Sequence, residues 1–168
     1  MKRAKRLPAV VAMLALLAGC AAVDPRAIAE ERLTNSVGVS VDAMGSVVAS
    51  IADETDPMVD DYTTVATYEL LSGLDDLPVE PVADTLYCLD RVDGAITACV
   101  FYPMNVNIPA GLDGFYASIY GCAELSGTPG DQDITVEDVD CPQELVDWFS
   151  ERSSVEEPEA VSISDIHG

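Results

Sequence analysis

Residues 85–102, TLYCLDRVDGAITACVFY, decide the fold because they contain two strand-like runs joined by a tight turn. Asp93-Gly94 lies at the centre of the stretch, and Asp-Gly is a dipeptide that favours a two-residue β-hairpin turn. Such a turn fixes the register so that Cys88 lies directly opposite Cys99. The stretch therefore predicts a β-hairpin with two cysteines facing each other across the strands.

The predicted hairpin presents two sets of side chains, because alternate residues of a strand point to opposite faces of a sheet. One face would carry Tyr87, Leu89, Ile96, Ala98, Val100 and Tyr102, and the other Leu86, the cysteine pair and Phe101. Both sets are apolar away from the turn. We therefore expect other elements of the chain to cover the hairpin on both sides.

A helix is predicted before the hairpin, from about residue 25 to 52, where apolar residues recur at spacings of three and four. Asp24-Pro25 is typical of a helix start. The apolar stripe, which we expect to pack on the domain's own sheet, consists of Leu33, Val37, Val41, Met44, Val48 and Ile51. Residues 62–72 fit either a helix or a strand.

Three further segments follow the hairpin. Residues 103–114 are interpreted as a connection, and residues 114–125, GFYASIYGCAEL, as a strand rich in aromatic residues. A short helix is predicted to start at Pro142, with Leu145, Trp148 and Phe149 pointing one way. Residues 151–168 are acidic and rich in serine, and we expect them to form a disordered tail.

The N-terminus combines a basic flank with a short apolar run. Lys2, Arg3, Lys5 and Arg6 precede residues 9–18, and even residues 9–23 give only 15 residues before the first acidic group. A helix needs about 20 apolar residues to cross the hydrocarbon core of a membrane. The pattern therefore predicts a secretory signal peptide, residues 1–19, instead of a membrane span.

The end of this signal, Leu17-Ala18-Gly19-Cys20, resembles the lipobox of bacterial lipoproteins. The resemblance covers about 20 residues, and it implies that Cys20 is acylated, carries the palmitate-type anchor and becomes the first mature residue. It also implies a membrane lipid anchor on the extracytoplasmic face. Because Ala21 replaces the aspartate typical of inner-membrane retention, it implies the outer membrane in a diderm bacterium, or the outer leaflet of the single membrane in a monoderm.

Four cysteines besides Cys20 remain, and an even number in an exported chain is typical of disulfides. The hairpin register pairs Cys88 with Cys99, which leaves Cys122 to pair with Cys141. Each bridge would stabilise the fold by roughly 3 kcal/mol. A zinc site is disfavoured because the cysteines lack CxxC spacing and no histidine lies near them.

The mature chain is strongly acidic. Without residues 1–19, four arginines and no lysine face 30 carboxylates, which gives a formal charge of −26 over 149 residues. Such a chain repels phosphates and anionic headgroups, so nucleic-acid binding is excluded, and a cationic or protein partner stays open. Repulsion between carboxylates should raise some of their pKa values in the folded state, so stability should rise as pH falls from 7 toward about 5.

The sequence nominates no catalytic residue, metal site or cofactor. Its one histidine, His167, lies in the predicted tail, and no glycine-rich loop with lysine exists to hold phosphate. Asp131 and Asp133 resemble the start of a calcium loop, but Val136 and Pro142 occupy the positions that need glycine and glutamate. The acidic cluster at residues 53–61, DETDPMVDD, would bind calcium weakly at most.

The sequence therefore predicts an α+β domain, a small antiparallel sheet with an N-terminal and a C-terminal helix packed on it and two disulfides. Residues 1–19 would be the signal peptide, 20–150 a single extracytoplasmic domain and 151–168 the tail.

The expected function is a lipid-anchored, non-enzymatic binding or envelope-support module. The alternatives are a carboxylate-based cell-wall hydrolase, which needs a cleft with two carboxylates, and a calcium-dependent accessory subunit. A binding module should expose an aromatic or apolar patch instead, near residues 103–114.

Overall fold

The computed structural model describes residues 23–50, 69–70, 84–110, 113–131, 133–155 and 157–167. Its helices are α1 (Pro25–Ser50), α2 (Gln143–Ser150) and α3 (Ile163–His167). Its strands are β1 (Glu69–Leu70), β2 (Thr85–Val92), β3 (Ala95–Ala110), β4 (Asp113–Gly127), β5 (Thr135–Asp138) and β6 (Glu159–Ala160). β2 to β5 form an antiparallel sheet in chain order, while the two-residue strands β1 and β6 pair in parallel with β2 and β4. The predicted α+β class is confirmed.

The hairpin of β2 and β3 has the predicted register. Asp93 and Gly94 have φ angles of 51° and 89°, as a two-residue turn with both central residues in the left-handed region requires. Cys88 lies opposite Cys99. The dipeptide at the centre of the stretch was therefore enough to align residues 88–92 of β2 with their partners in β3.

A β-bulge in β2 corrects the predicted faces. The register shifts between Leu86 and Cys88, so Tyr87 has no partner of its own in β3. One inserted residue moves the side chains before it to the opposite face. Leu86 consequently joins Val100 beneath α1, and Tyr87 packs on the other side of the sheet with Phe101. Burial, with a contribution from the Glu124 carboxylate, raises the pKa of Tyr87 to about 12.

The predicted connection at residues 103–114 is wrong. β3 continues to Ala110 and pairs with β4 from Tyr102 opposite Gly121 to Ala110 opposite Asp113. Pro103 and Pro109 lack an N–H group, yet they stand six residues apart and so face the same edge of the strand. β2 pairs with β3 only as far as Phe101, so that edge needs no donor beyond it.

α1 covers one face of the sheet, as its apolar stripe predicted. Its buried residues pack on the inward side chains of β3 and β4, including Ile96, Tyr102 and Leu125, in the larger core. Four residues of the stripe are fully buried, and Val41 is partly buried. The four fully buried residues are Leu33, Val37, Met44 and Val48. Ile51 lies outside the described residues.

α2 covers the opposite face with a smaller core. Leu145, Trp148 and Phe149 are its buried residues, as predicted. Phe149 meets the rings of Phe101 and Tyr120 edge-on, with centroids 6.0 and 6.1 Å apart. The two faces predicted for the hairpin are therefore both covered, one by each helix.

The C-terminal segment is ordered where a disordered tail was predicted. β6 pairs with Ile119 and Tyr120 of β4, and the side chain of Ile163 in α3 is fully buried. Gly121 makes room for this segment, because a Cβ there would lie 2.6 Å from Ile163. The local composition predicted a disordered segment. Instead, the side chain of Ile163 fills the space above Gly121 in the sheet, and this tertiary packing orders the segment.

Candidate functional site

The predicted disulfide cysteines are paired in the structure. The Cα atoms of Cys88 and Cys99 are 4.9 Å apart, and those of Cys122 and Cys141 are 5.3 Å apart. Both bonds lie in the covered part of the sheet, which fits a role in holding the fold. Cys20, the predicted lipidation site, lies outside the described residues.

Among the residues that the structure describes, the most exposed aromatic side chains stand at one end of the long hairpin. Residues 107–110 of β3 and 113–116 of β4 form this end, here named the hairpin tip. Phe115 and Tyr116 are 54% and 46% exposed there. Since large aromatic side chains bury 150–250 Å² each when they find a partner, two adjacent exposed ones are a candidate binding surface.

The two rings occupy opposite faces of the hairpin. Phe115 lies on the same face as Ala117 and Ile119, which belong to the core under α1. Tyr116 points to the other face and lies along the strand toward the turn, over Gly114, where a Cβ would stand 2.7 Å from its hydroxyl oxygen. The tip is therefore a ribbon with one aromatic ring on each side.

The strands of the hairpin carry almost no charge. β3 contains no charged residue over its 16 positions, and none occurs in β4 from Gly114 to Ala123. Asp113 is the one acidic residue of the tip. In a chain with 30 carboxylates, this neutral stretch is a surface that a partner of any charge can approach without strong repulsion.

The hairpin tip lies at the end of the molecule where α1 begins. Arg26, in the first turn of α1, forms an ion pair with Glu159, which lies beside Ile119 in the sheet. At the other end of α1, the carbonyl oxygen of Val48 accepts a hydrogen bond of 3.0 Å from the amide of Gly130, just beyond β4. α1 and β4 therefore run in the same direction, and the tip extends past the first turn of α1.

A cleft of about 600 Å³ opens beside the Cys122–Cys141 disulfide, between the end of β5 and the end of β6. Asp138, Asp140 and Tyr120 line it, which is the composition expected of a carboxylate hydrolase. Asp138, however, already accepts hydrogen bonds at both oxygens. The amide of Ile163 donates at 2.5 Å, that of Ser164 at 3.2 Å and the Ser162 hydroxyl at 2.8 Å, and the Ser164 hydroxyl also donates.

Asp138 is thus the N-terminal cap of α3, reached from 25 residues earlier in the chain. Desolvation raises the pKa of its carboxyl, but the hydroxyl and amide donors of Ser164, Ser162 and Ile163 together outweigh it, so the pKa is lowered. A general acid needs the opposite shift, toward the working pH. The cleft therefore holds α3 in place and lacks the acid that glycoside hydrolysis requires at Asp138.

Asp84 is the residue with the most perturbed carboxyl group of the described part. Desolvation by burial raises its pKa to about 6, and the hydrogen bond donated by the Ser36 hydroxyl of α1 opposes that shift. The raised carboxyl pKa predicted from the sequence occurs here, but its cause is burial and not repulsion between neighbouring charges. Asp84 lies directly before β2, where it joins the sheet to α1.

The acidic residues do not assemble a metal site in the part of the chain that the structure describes. The carboxylate of Asp131 accepts a hydrogen bond from the amide of Asp133 at 3.2 Å, which is the geometry of a local turn. The cluster at residues 53–61 lies outside the described residues. His167 is the last residue of α3 rather than part of a disordered tail.

No protein-family model, curated protein or solved structure matches this chain. Within the described ranges, no helix is both long enough and apolar enough to cross a bilayer. Function is therefore inferred from the chain's own residues and their arrangement.

A binding module was expected to expose an apolar or aromatic patch near residues 103–114, and the exposed aromatic residues of the described part are Phe115 and Tyr116. Asp84 and Asp138 were missed. No pattern of neighbouring residues predicts the role of either carboxylate, because their hydrogen-bond partners Ser36 and Ser164 lie 48 and 26 residues away in the sequence.

Proposed function

We propose that this protein is a lipid-anchored, extracytoplasmic and non-enzymatic module of the bacterial cell envelope, with the hairpin tip as its binding surface. The observation that carries the proposal is the exposure of Phe115 and Tyr116 on a nearly uncharged ribbon. Leaving two such rings in water costs the free energy that burial in a partner would recover. The same strands bury Phe101 and Tyr102 fully and Tyr120 partly.

The anchor in this proposal is Cys20. The lipobox-like sequence ends four residues before Asp24, and two or more acyl chains at about 0.8 kcal/mol per buried CH₂ hold a protein firmly on a membrane. The location is then the extracytoplasmic face of the membrane, and the outer membrane if the bacterium is diderm. The two disulfides suit that oxidising location.

The hydrolase alternative receives less support from the described residues. Its candidate cleft contains Asp138, whose two oxygens are occupied by four donors and whose pKa is lowered. The calcium alternative depends on residues 53–61, so it stays a prediction from sequence. A saturating rise of melting temperature at sub-millimolar calcium, compared with magnesium at equal ionic strength, would favour it.

The anchor is tested by Cys20→Ser in the full chain expressed with its own signal. Mass spectrometry should find an acylated Cys20 in the wild type, whereas the variant should be unprocessed or released from the membrane fraction. An unmodified Cys20 in the wild-type protein, retained on the membrane all the same, would contradict the proposal.

The binding surface is tested by placing a photo-crosslinking amino acid at position 116 and, as a matched control, at position 39. Val39 is 58% exposed on α1, 14 residues after the helix start at Pro25, which is roughly 20 Å along the helix axis. We expect position 116 to crosslink to an envelope component, lipid or protein, more strongly than position 39. Equal labelling from both positions would contradict the assignment of the tip as the binding surface.

A further inference from the structure

The hairpin tip and the anchored end of the chain point in the same direction. Arg26 pairs with Glu159 beside Ile119, and from Ile119 to Asp113 β4 continues for six residues. At about 3.3 Å per residue, the end of β4 lies roughly 20 Å beyond that row. The opposite end of the molecule carries the Asp93-Gly94 turn.

The tether between the anchor and the fold is about as long as this projection. Cys20 precedes Pro25 by five residues, and five residues span at most about 17 Å even when fully extended. A bilayer that holds acyl chains on Cys20 is therefore within reach of the tip whenever the domain stands with the start of α1 downward.

The distribution of charge favours the same orientation. The mature chain carries 30 carboxylates, which repel an anionic headgroup surface, but residues 95–110 and 114–123 contain none. Tyrosine is enriched at the headgroup level of membrane proteins, since its ring has an apolar body and a polar end. Phenylalanine occurs on the apolar face of segments that lie in the membrane interface. The tip is thus the part of the surface that an acidic protein can bring to lipid.

The placement of the rings on both faces distinguishes lipid from a flat protein partner. Phe115 and Tyr116 point to opposite sides of the ribbon, so a partner packed on one face would leave the other ring in water. A fluid layer of headgroups surrounds an inserted ribbon on both sides and covers both rings together.

From these observations we infer that the hairpin tip seats in the headgroup region of the bilayer that holds the acyl chains of Cys20. This inference rests on the proposed lipid anchor and adds a second, non-covalent contact. Two contacts fix the orientation, so the Asp93-Gly94 turn and the end of β4 near Gly130 face away from the membrane.

The test uses the full-length, acylated protein, purified in detergent and reconstituted into phosphatidylcholine vesicles whose acyl chains carry bromine, a contact quencher of tryptophan. Phe115→Trp reports on the tip, and Val39→Trp, at an equally exposed position on α1, is the control. The native Trp148, 5% exposed in the smaller core, gives a background that the wild-type protein measures. Non-brominated vesicles supply the reference intensity.

We expect Phe115→Trp to shift its emission to the blue and to lose fluorescence in brominated vesicles, while Val39→Trp and the wild type lose none. An acylated protein whose Phe115→Trp emission is unchanged overturns the seating of the tip and leaves the anchor intact. Quenching at both positions shows a domain lying flat and also overturns it. If mass spectrometry of the purified protein finds no acyl chain on Cys20, the anchor itself fails, and this inference fails with it.

Discussion

The two halves of the β3–β4 hairpin both carry aromatic side chains, which are buried in one half and exposed in the other. In the proximal half, near the Asp93-Gly94 turn, Phe101 and Tyr102 are fully buried. At the hairpin tip, Phe115 and Tyr116 are about half exposed. Strand propensity is alike in the two halves, so the difference comes from what lies above and below each of them.

The reach of the helices sets that difference. α1 begins at Pro25 and α2 spans eight residues, and their buried side chains cover the sheet on either face of the proximal half. Phe115 continues the row of Ala117 and Ile119, yet it lies past the first turn of α1. An aromatic residue on a strand is thus core or surface according to the length of the element that packs on it, which is a property of the whole chain.

The largest expected effect comes from truncating one phenylalanine in each half. Phe101→Ala should destabilise the protein by about 3–5 kcal/mol, because it empties the smaller core beneath α2. Phe115→Ala should change the free energy of unfolding by no more than about 0.5 kcal/mol. Urea unfolding with the disulfides intact measures both. Equal losses would mean that the tip is covered in the folded protein.

The disulfides provide a second comparison within the proximal half. Removing Cys122–Cys141 by double alanine substitution should cost about 3 kcal/mol in a chain-entropy estimate. Removing Cys88–Cys99 should cost about 0.5 kcal/mol less by the same estimate, because it closes a loop with a sequence separation of 11 instead of 19. Urea midpoints of the two double variants decide the order, and a reversed order would show that the bulge beside Cys88 matters more than loop length.

Asp84 lies at the boundary of the two halves, directly before Thr85, which begins β2 opposite Phe101. Its folded-state pKa of about 6 lies above the ordinary value of 3.8, so the folded protein binds this proton more tightly than the unfolded chain. Stability should therefore rise as pH falls from 7 toward 4, by up to about 3 kcal/mol, and this gain is lost again as pH rises through 6.

Melting temperatures between pH 4.5 and 7.5 test this, with Asp84→Asn as the variant and Asp90→Asn, at an exposed site, as its charge-matched control. Asp84→Asn should flatten the profile, whereas the control should keep the slope of the wild type. If 0.5 M NaCl removes the slope from the wild type, repulsion between surface carboxylates causes it instead of the burial of Asp84.

The smallest expected effect is at Asp138, which holds the C-terminal segment beside the hairpin. Asp138→Ala should cost about 1 kcal/mol, the usual value of a lost N-terminal cap, and should speed amide hydrogen exchange in residues 159–167. Because the pKa of Asp138 is lowered, its contribution is present above the ordinary value and is lost as pH falls below it, opposite in sign to Asp84. Unchanged exchange in that segment would show that Ile163 alone holds it.

Short-range patterns in the sequence determined the elements whose partners are close in the chain. Asp93-Gly94 set the register that brings Cys88 opposite Cys99, and the apolar stripe of residues 33–48 predicted α1 and its buried face. The lipobox-like end of the first 20 residues is a signal of the same short range, and it stays a prediction because Cys20 lies outside the described residues. Each of these signals is contained within about 20 consecutive residues, where turn chemistry and helical period act directly.

Tertiary structure alone decided the rest, because the groups that meet are distant in sequence. β3 continues through Pro103 only because β4 pairs with it on one edge and β2 has already ended on the other. The tail is ordered because Asp138 caps α3 from 25 residues away and Ile163 fills the space over Gly121. Whether Phe115 is core or surface depends on where α1 begins relative to β4, and no local pattern of residues records that distance.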